Sequence, residues 1–186
     1  MNALHAALKG RYRGHPLRVL VIPGLRNSED GHWQSWLQGQ YRGAVRVNQA
    51  DWHDPDLPAW SQRIARTLEQ TPANTEWIAV AHSFGCLALA HHLANTAPSG
   101  RQRIRSALLV APADPRKFGL QQALPRHGLG IASTLVGSET DPWMPLDEAQ
   151  SWARAWGSRF VNLGEAGHIN VESGHGPWLM ARYWVD

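Results

Sequence analysis

A serine set between two apolar runs constrains this chain more than any other feature. Trp77-Ile78-Ala79-Val80 reads as a β-type run, and Cys86-Leu87-Ala88-Leu89-Ala90 reads as a helix-type run. Between them lies the short turn Ala81-His82-Ser83-Phe84-Gly85. Strand, tight turn and helix, with a central serine, match the pattern G-x-S-x-G, with Ala81 in place of the first glycine. Such a turn lifts a hydroxyl clear of a sheet edge, where a base and a substrate can both reach it. Strand and helix nearly touch there, so the residues two before and two after the serine must be small. Gly85 meets that need, and Ala81 is one methyl larger than usual. The helix start behind Ser83 offers free N–H groups and the positive end of a dipole, which suits a developing oxyanion. The plain structural alternative is a buried strand-to-helix turn that happens to contain a serine.

The remaining chain supplies the sheet that such a turn needs. Apolar runs at 18–22, 45–48, 77–80, 104–110, 131–137 and 160–163 read as strands. Helical patterns are expected at 32–38, 58–70, 84–95, 145–156 and 177–185. Asp30 is the expected N-cap of the first of these, and Leu57, Trp60, Ile64 and Leu68 form one face of the second. Residues 1–16 read as a helical or irregular lead-in. Strands alternating with helices imply an α/β fold, a mostly parallel sheet with helices on both faces. With the runs numbered in chain order, the expected strand order is 2-1-3-4-5-6. The crevice where that order reverses lies between the first and third runs, which brings Gly24-Leu25 beside the serine turn. Residues 113–130 are too short to form an added cap domain. No repeat or linker breaks the chain, so residues 1–186 are expected to form one domain.

Composition narrows the partners. The net charge is +3, but the basic residues are scattered and no nucleic-acid motif occurs, so no nucleic acid is expected. Arg101, Arg103 and Arg105, the densest basic stretch, read as a solvated loop and strand edge. No apolar run is long enough for a membrane span, and the N-terminal stretch lacks the apolar core of a signal peptide. The one cysteine, Cys86, has no internal disulfide partner and reads as a small core residue. Together these features favour a cytoplasmic location.

A serine nucleophile needs a base, a group to orient it and oxyanion donors. His168, in Gly164–Asn170 after the last strand run, is the candidate base, ahead of His175. His91 and His92 lie on the helix after Ser83, away from the strand tips. Asp141, after the fifth run, is the candidate acid; Asp114 and then Glu139 are the alternatives, and a turn or capping role is open to Asp141 as well. The backbone N–H groups of Phe84 and Leu25 are the expected oxyanion donors. No metal is expected, since neither an H-E-x-x-H motif nor a Cys/His cluster occurs, and no glycine-rich phosphate loop is present.

At this point the chain resembles a known family, the compact α/β-hydrolases of the retinoblastoma-binding-protein-9 and YdeN type. The resemblance covers roughly residues 18–184. It is carried by Val21-Ile22-Pro23-Gly24, His32-Trp33-Gln34-Ser35-Trp36, and Asp51-Trp52 with Pro55 and Trp60. Further on it is carried by His82-Ser83-Phe84-Gly85, Asp141-Pro142-Trp143-Met144-Pro145 and Gly167-His168-Ile169-Asn170. It implies a compact α/β-hydrolase fold without a cap domain and a triad of Ser83, Asp141 and His168. It also implies hydrolysis of an ester or amide bond in a small-molecule substrate, with no cofactor. The protein partner suggested by the first family name is not carried over, because Cys86 lacks the flanks of an L-x-C-x-E motif; any protein partner is unknown. His32, Trp33 and Trp52 are expected to line the cleft near Leu25, with His82 beside them, although the Trp rings serve equally as packing. The alternative to a hydrolase is a catalytically weak interaction module that keeps the fold, and acyl transfer to an acceptor other than water is a third reading.

Overall fold

The computed structural model describes residues 11–12, 15–97 and 103–185. Among the described residues seven strands form the sheet: β1 (Arg11–Tyr12), β2 (His15–Ile22), β3 (Val45–Arg46), β4 (Glu76–His82), β5 (Ile104–Val110), β6 (Ala132–Gly137) and β7 (Arg159–Asn162). Five α-helices accompany them among the described residues: α1 (Trp33–Gln40), α2 (Leu57–Glu69), α3 (Phe84–Asn95), α4 (Leu146–Trp156) and α5 (Leu179–Val185). All neighbouring pairs from β2 to β7 are parallel, and the order of these six is 2-1-3-4-5-6 as expected. The short β1 pairs antiparallel with the start of β2, in a stretch read from sequence as helical or irregular. The rest of that lead-in lies outside the described residues.

Strand residues alternate between two apolar layers, which is why the strand sequences are apolar almost throughout. Leu20, Ile22, Ala79, Ala81, Ala107 and Leu109 face one layer, filled from α2, α3 and α4 by Trp60, Leu87 and Trp156 among others. Val19, Val21, Val80, Leu108, Val110 and Val136 face the other, where α1 and α5 contribute Trp33, Leu37, Ala181 and Val185. Leu57, Trp60, Ile64 and Leu68 are buried along α2, and the Asp56 side chain caps its first turn by accepting from Ala59 N at 2.9 Å. Between β5 and β6 the chain forms only a short 3₁₀ turn (Pro115–Phe118) and loop, and no cap domain is inserted there.

Two local expectations are corrected. α1 starts later than the sequence suggests, so its cap falls on His32 rather than Asp30; Nδ1 of His32 accepts from Gln34 N at 3.1 Å. Arg103 is not a solvated loop residue. Its guanidinium binds the carbonyls of Leu68 (2.7 Å), Pro72 (2.8 Å) and Thr75 (3.3 Å) and so closes the C-terminal end of α2. Arg105 pairs with Glu76 at 2.6 Å, and Arg101 lies outside the described residues. Cys86 is fully buried with Sγ 3.5 Å from the Val110 carbonyl, and burial pushes its thiol pKa up. No helix among the described residues is long and apolar enough to cross a membrane.

Candidate active site

The site is built where β2, β4, β6 and β7 end. Ser83 joins β4 to α3 with φ 53° and ψ −125°, a backbone conformation that side chains other than glycine rarely adopt. The turn is packed backbone against backbone. A Cβ on Gly85 would stand 2.4 Å from the carbonyl oxygens of both Ile22 and Pro23, so only glycine fits. A Cβ on Gly24 would stand 2.7 Å from Ser83 Cβ and 3.3 Å from Phe84 N. The end of β2 therefore lies directly against the turn, at the reversal point of the strand order. Ala81, buried and paired with Ile22 across the sheet, is accommodated in place of the usual glycine.

His168 reaches Ser83 from the loop after β7. Its Nε2 is 2.9 Å from Ser83 Oγ, and its Nδ1 is 2.9 and 3.0 Å from the two Asp141 oxygens. A carboxylate accepts and does not donate, so Nδ1 carries a hydrogen, and in the neutral form of the ring Nε2 is then bare and able to accept from the serine hydroxyl. Asp141 is itself oriented by the Trp143 N–H, which donates to Oδ1 at 2.9 Å. The acid and base side chains are 2% and 9% exposed, low enough for their hydrogen bonds to act with little competition from water.

The alternative acids and His175 make their contacts elsewhere, and His91 and His92 lie on α3. Asp114 caps the 3₁₀ turn and receives three hydrogen bonds from the Arg116 guanidinium. Burial would raise its carboxyl pKa, yet the bonds to Arg116 hold it below the usual value. Glu139 accepts from Asn162 Nδ2 at 2.7 Å. His175 meets Ser173 Oγ at 3.2 Å and the Trp178 ring. His92 is buried on α3, where burial, with a smaller effect of His91, lowers its pKa to about 4.

The loop that carries His168 is held by side chains at four successive residues. Ala166 N donates to Ser138 Oγ at 3.0 Å, and Gly167 N donates to Thr140 Oγ1 at 3.0 Å. The His168 carbonyl is 2.9 Å from His82 Nε2, and the Ile169 carbonyl accepts from Trp33 Nε1 at 2.8 Å. Ser138 and Thr140 are thus part of the site although sequence reading passed over them. The signal available was their place beside Asp141 just past a strand end, with hydroxyls able to bind backbone.

A cavity of about 390 Å³ opens over Ser83. His32 and His82 line it, as does Leu25. Trp33 and Trp52 do not, which corrects the expectation for them. Trp33 is fully buried, with its ring edge-on to Trp178 and its N–H spent on Ile169. Trp52 packs its ring against Trp60, and its carbonyl accepts from Arg26 N at 2.8 Å, steadying the turn after Leu25. Aromatic contact with the cavity comes instead from Phe118 and Trp143. Trp143 is 45% exposed at the mouth, with Lys117 Nζ 4.8 Å from its ring centroid. The His32 pKa is lowered to about 4, first by burial and then by Arg46 and His168, so its imidazole stays neutral. Burial likewise pushes the His82 pKa well down. Among the described residues, no group of three or more His, Cys, Asp or Glu side chains is arranged to hold a metal ion.

The sequence profile of the serine hydrolase family matches residues 19–185. Among solved structures, a YdeN-like hydrolase from Pectobacterium atrosepticum is 34% identical, covers 98% of this chain and 92% of its own, and superposes with a TM-score of 0.85. The ydeN gene product of B. subtilis shares 19% identity over 91% of this chain and 99% of its own, with a TM-score of 0.70. Acyl-protein thioesterase 2 of Zea mays shares the fold at 15% identity and a TM-score of 0.57, over 92% of this chain and 96% of its own. No curated protein matches the sequence.

Proposed function

The chain belongs to the serine hydrolase family, of the YdeN type, and we propose that it cleaves an ester or amide bond of a small substrate through an acyl-enzyme on Ser83. The observation that carries this reading is the unbroken hydrogen-bond path from Ser83 Oγ through His168 to Asp141, each step 2.9 Å. In the first half-reaction Oγ attacks the carbonyl carbon while its proton passes to His168 Nε2. Asp141 stabilises the imidazolium that forms. The backbone N–H groups of Phe84 and Leu25 receive the oxyanion in this reading, which the close approach of Gly24 to Ser83 and Phe84 N supports. As the tetrahedral intermediate collapses, the leaving group takes the proton from Nε2 and departs. A water molecule then gives a proton to the same nitrogen as its oxygen attacks the acyl carbon; the bond to Ser83 Oγ breaks, Oγ takes the proton back from Nε2, and the acid is released. The reaction as written uses no cofactor. Without a cap over the strand ends, the site suits small substrates or exposed ends of larger molecules, and a cytoplasmic location agrees with the single buried cysteine.

A fluorophosphonate probe tests this directly. The folded protein is expected to be labelled at Ser83, and Ser83→Ala to take no label. Equal labelling of the two proteins, or none of the wild type, sinks the reading.

A further inference from the structure

Residue 82 precedes the nucleophile, and the turn itself demands nothing of its side chain. Yet His82 is buried at 5% exposure, with its ring centroid 4.9 Å from those of both His32 and His168. Its Nε2 lies 2.9 Å from the carbonyl oxygen of His168. A carbonyl only accepts, so Nε2 carries the hydrogen, and in a neutral imidazole Nδ1 is then bare. We propose that His82 is a positioning residue for the general base: its Nε2–H holds the main chain of residue 168 so that the imidazole spans Ser83 and Asp141. This rests on the reading of His168 as that base.

The backbone around the base supplies the reason. Gly167 and Ile169 both have positive φ, 58° and 49°, so residue 168 sits in an irregular bend outside the strand ladder. Its place is set by bonds from other segments. Three of these fall on residues 166, 167 and 169, and the bond from His82 falls on residue 168 itself. His82 is also covalently next to Ser83. One peptide bond therefore links the group that fixes the base to the nucleophile, and the Ser83–His168 distance is set within a single rigid turn. The burial that keeps the His82 ring neutral also keeps its single N–H committed to this carbonyl.

Kinetics with p-nitrophenyl acetate and an imidazole NMR spectrum of the full chain test the proposal. His82→Leu keeps bulk but removes the donor, and a base displaced by a fraction of its hydrogen-bond length loses about 10²-fold in kcat, with KM moved by no more than about twofold. His82→Gln returns an N–H at a similar reach and is expected to recover about tenfold of that loss, a rescue that packing alone does not provide. In the long-range ¹H–¹⁵N spectrum His82 is expected as the neutral Nε2–H tautomer at pH 7. A folded His82→Leu with wild-type kcat, a loss confined to KM, or a His82 ring protonated on Nδ1 would each overturn the proposal. If His82→Leu does not fold, the Gln variant and the spectrum still decide. If Ser83 takes no fluorophosphonate, the hydrolase reading falls by that result. The tautomer then decides separately whether His82 holds residue 168.

Discussion

Ser83 and His168 stand 2.9 Å apart and are held by opposite means. Ser83 is fixed by backbone packed on backbone: β2 against β4, Gly24 against the turn, Gly85 against the carbonyls of Ile22 and Pro23. His168 is fixed through its loop, whose residues 166 and 167 donate to the hydroxyls of Ser138 and Thr140 and whose residues 168 and 169 accept from His82 and Trp33, partners drawn from three separate parts of the chain. Steric placement leaves no room for an added atom, because neither side can yield without moving a strand. A hydrogen-bonded cradle loses one support at a time. The nucleophile side should therefore fail abruptly, and the base side by degrees.

The largest effect is expected from Gly85→Ala. The added methyl meets two backbone oxygens at 2.4 Å, so its cost lies at or beyond the upper end for overpacking, about 3 kcal/mol. In a chain of this size that lowers the thermal midpoint by roughly 10 °C. A variant that melts within about 2 °C of the wild type would break the contrast, because the turn would then be able to yield.

Ser138→Ala tests the other side. Ser138 is 1% exposed, and its Oγ accepts from Ala166 N at 3.0 Å and donates to the Gly164 carbonyl at 3.1 Å. Ala166 N keeps its 3.0 Å bond to the Gly164 carbonyl, so the removal costs two modest net hydrogen bonds, about 1–3 kcal/mol together. Urea denaturation should show that loss, and fluorophosphonate labelling of Ser83 should slow without disappearing. Complete loss of labelling in a folded variant would make the base side as abrupt as the nucleophile side.

The last test separates the two regions by their response to acid. His32 caps α1, the helix that carries Trp33, and it does so through a bare Nδ1. Its pKa is about 4 in the folded protein against an ordinary 6.5, so between these values the unfolded chain binds the proton and the folded one does not. This site's contribution is therefore fully present above pH 6.5 and is lost as pH falls toward 4, at up to about 1.4 kcal/mol per pH unit. His32→Asn keeps a capping acceptor that does not titrate. Denaturation across pH 6.5 to 4 should show a shallower dependence in the variant by up to that slope, since the remaining histidines, His92 among them, titrate in both proteins. An unchanged slope would show that His32 is protonated in the fold.

Much of the molecule is legible in the chain for simple reasons. Parallel strands buried on both faces must be apolar runs, and those runs fixed the sheet order through the handedness of the connections. Ser83, Asp141 and His168 follow three strand ends, so strand placement alone brings them to one edge of the sheet. What stayed hidden depends on side-chain direction. Nothing in the run His32–Trp36 tells which face of α1 meets the sheet, so Trp33 reads equally as a cleft wall or as the buried donor to Ile169. Arg103 reads as a surface charge because its partners are three main-chain carbonyls and the Thr71 hydroxyl, none of which marks it by charge in the sequence. Ser138 and Thr140 are ordinary loop residues until the fold brings the His168 loop against them.

The sealed thiol beneath the serine turn has a practical consequence. Cys86 is the chain's one cysteine, it is fully buried, and a buried thiol is inert toward reagents in solution. A dye or spin label can therefore be attached at one chosen surface position with the native cysteine left in place. Glu172→Cys, at an exposed position on the cavity rim, would put such a reporter where it senses occupancy of the site while Ser83 stays free to react.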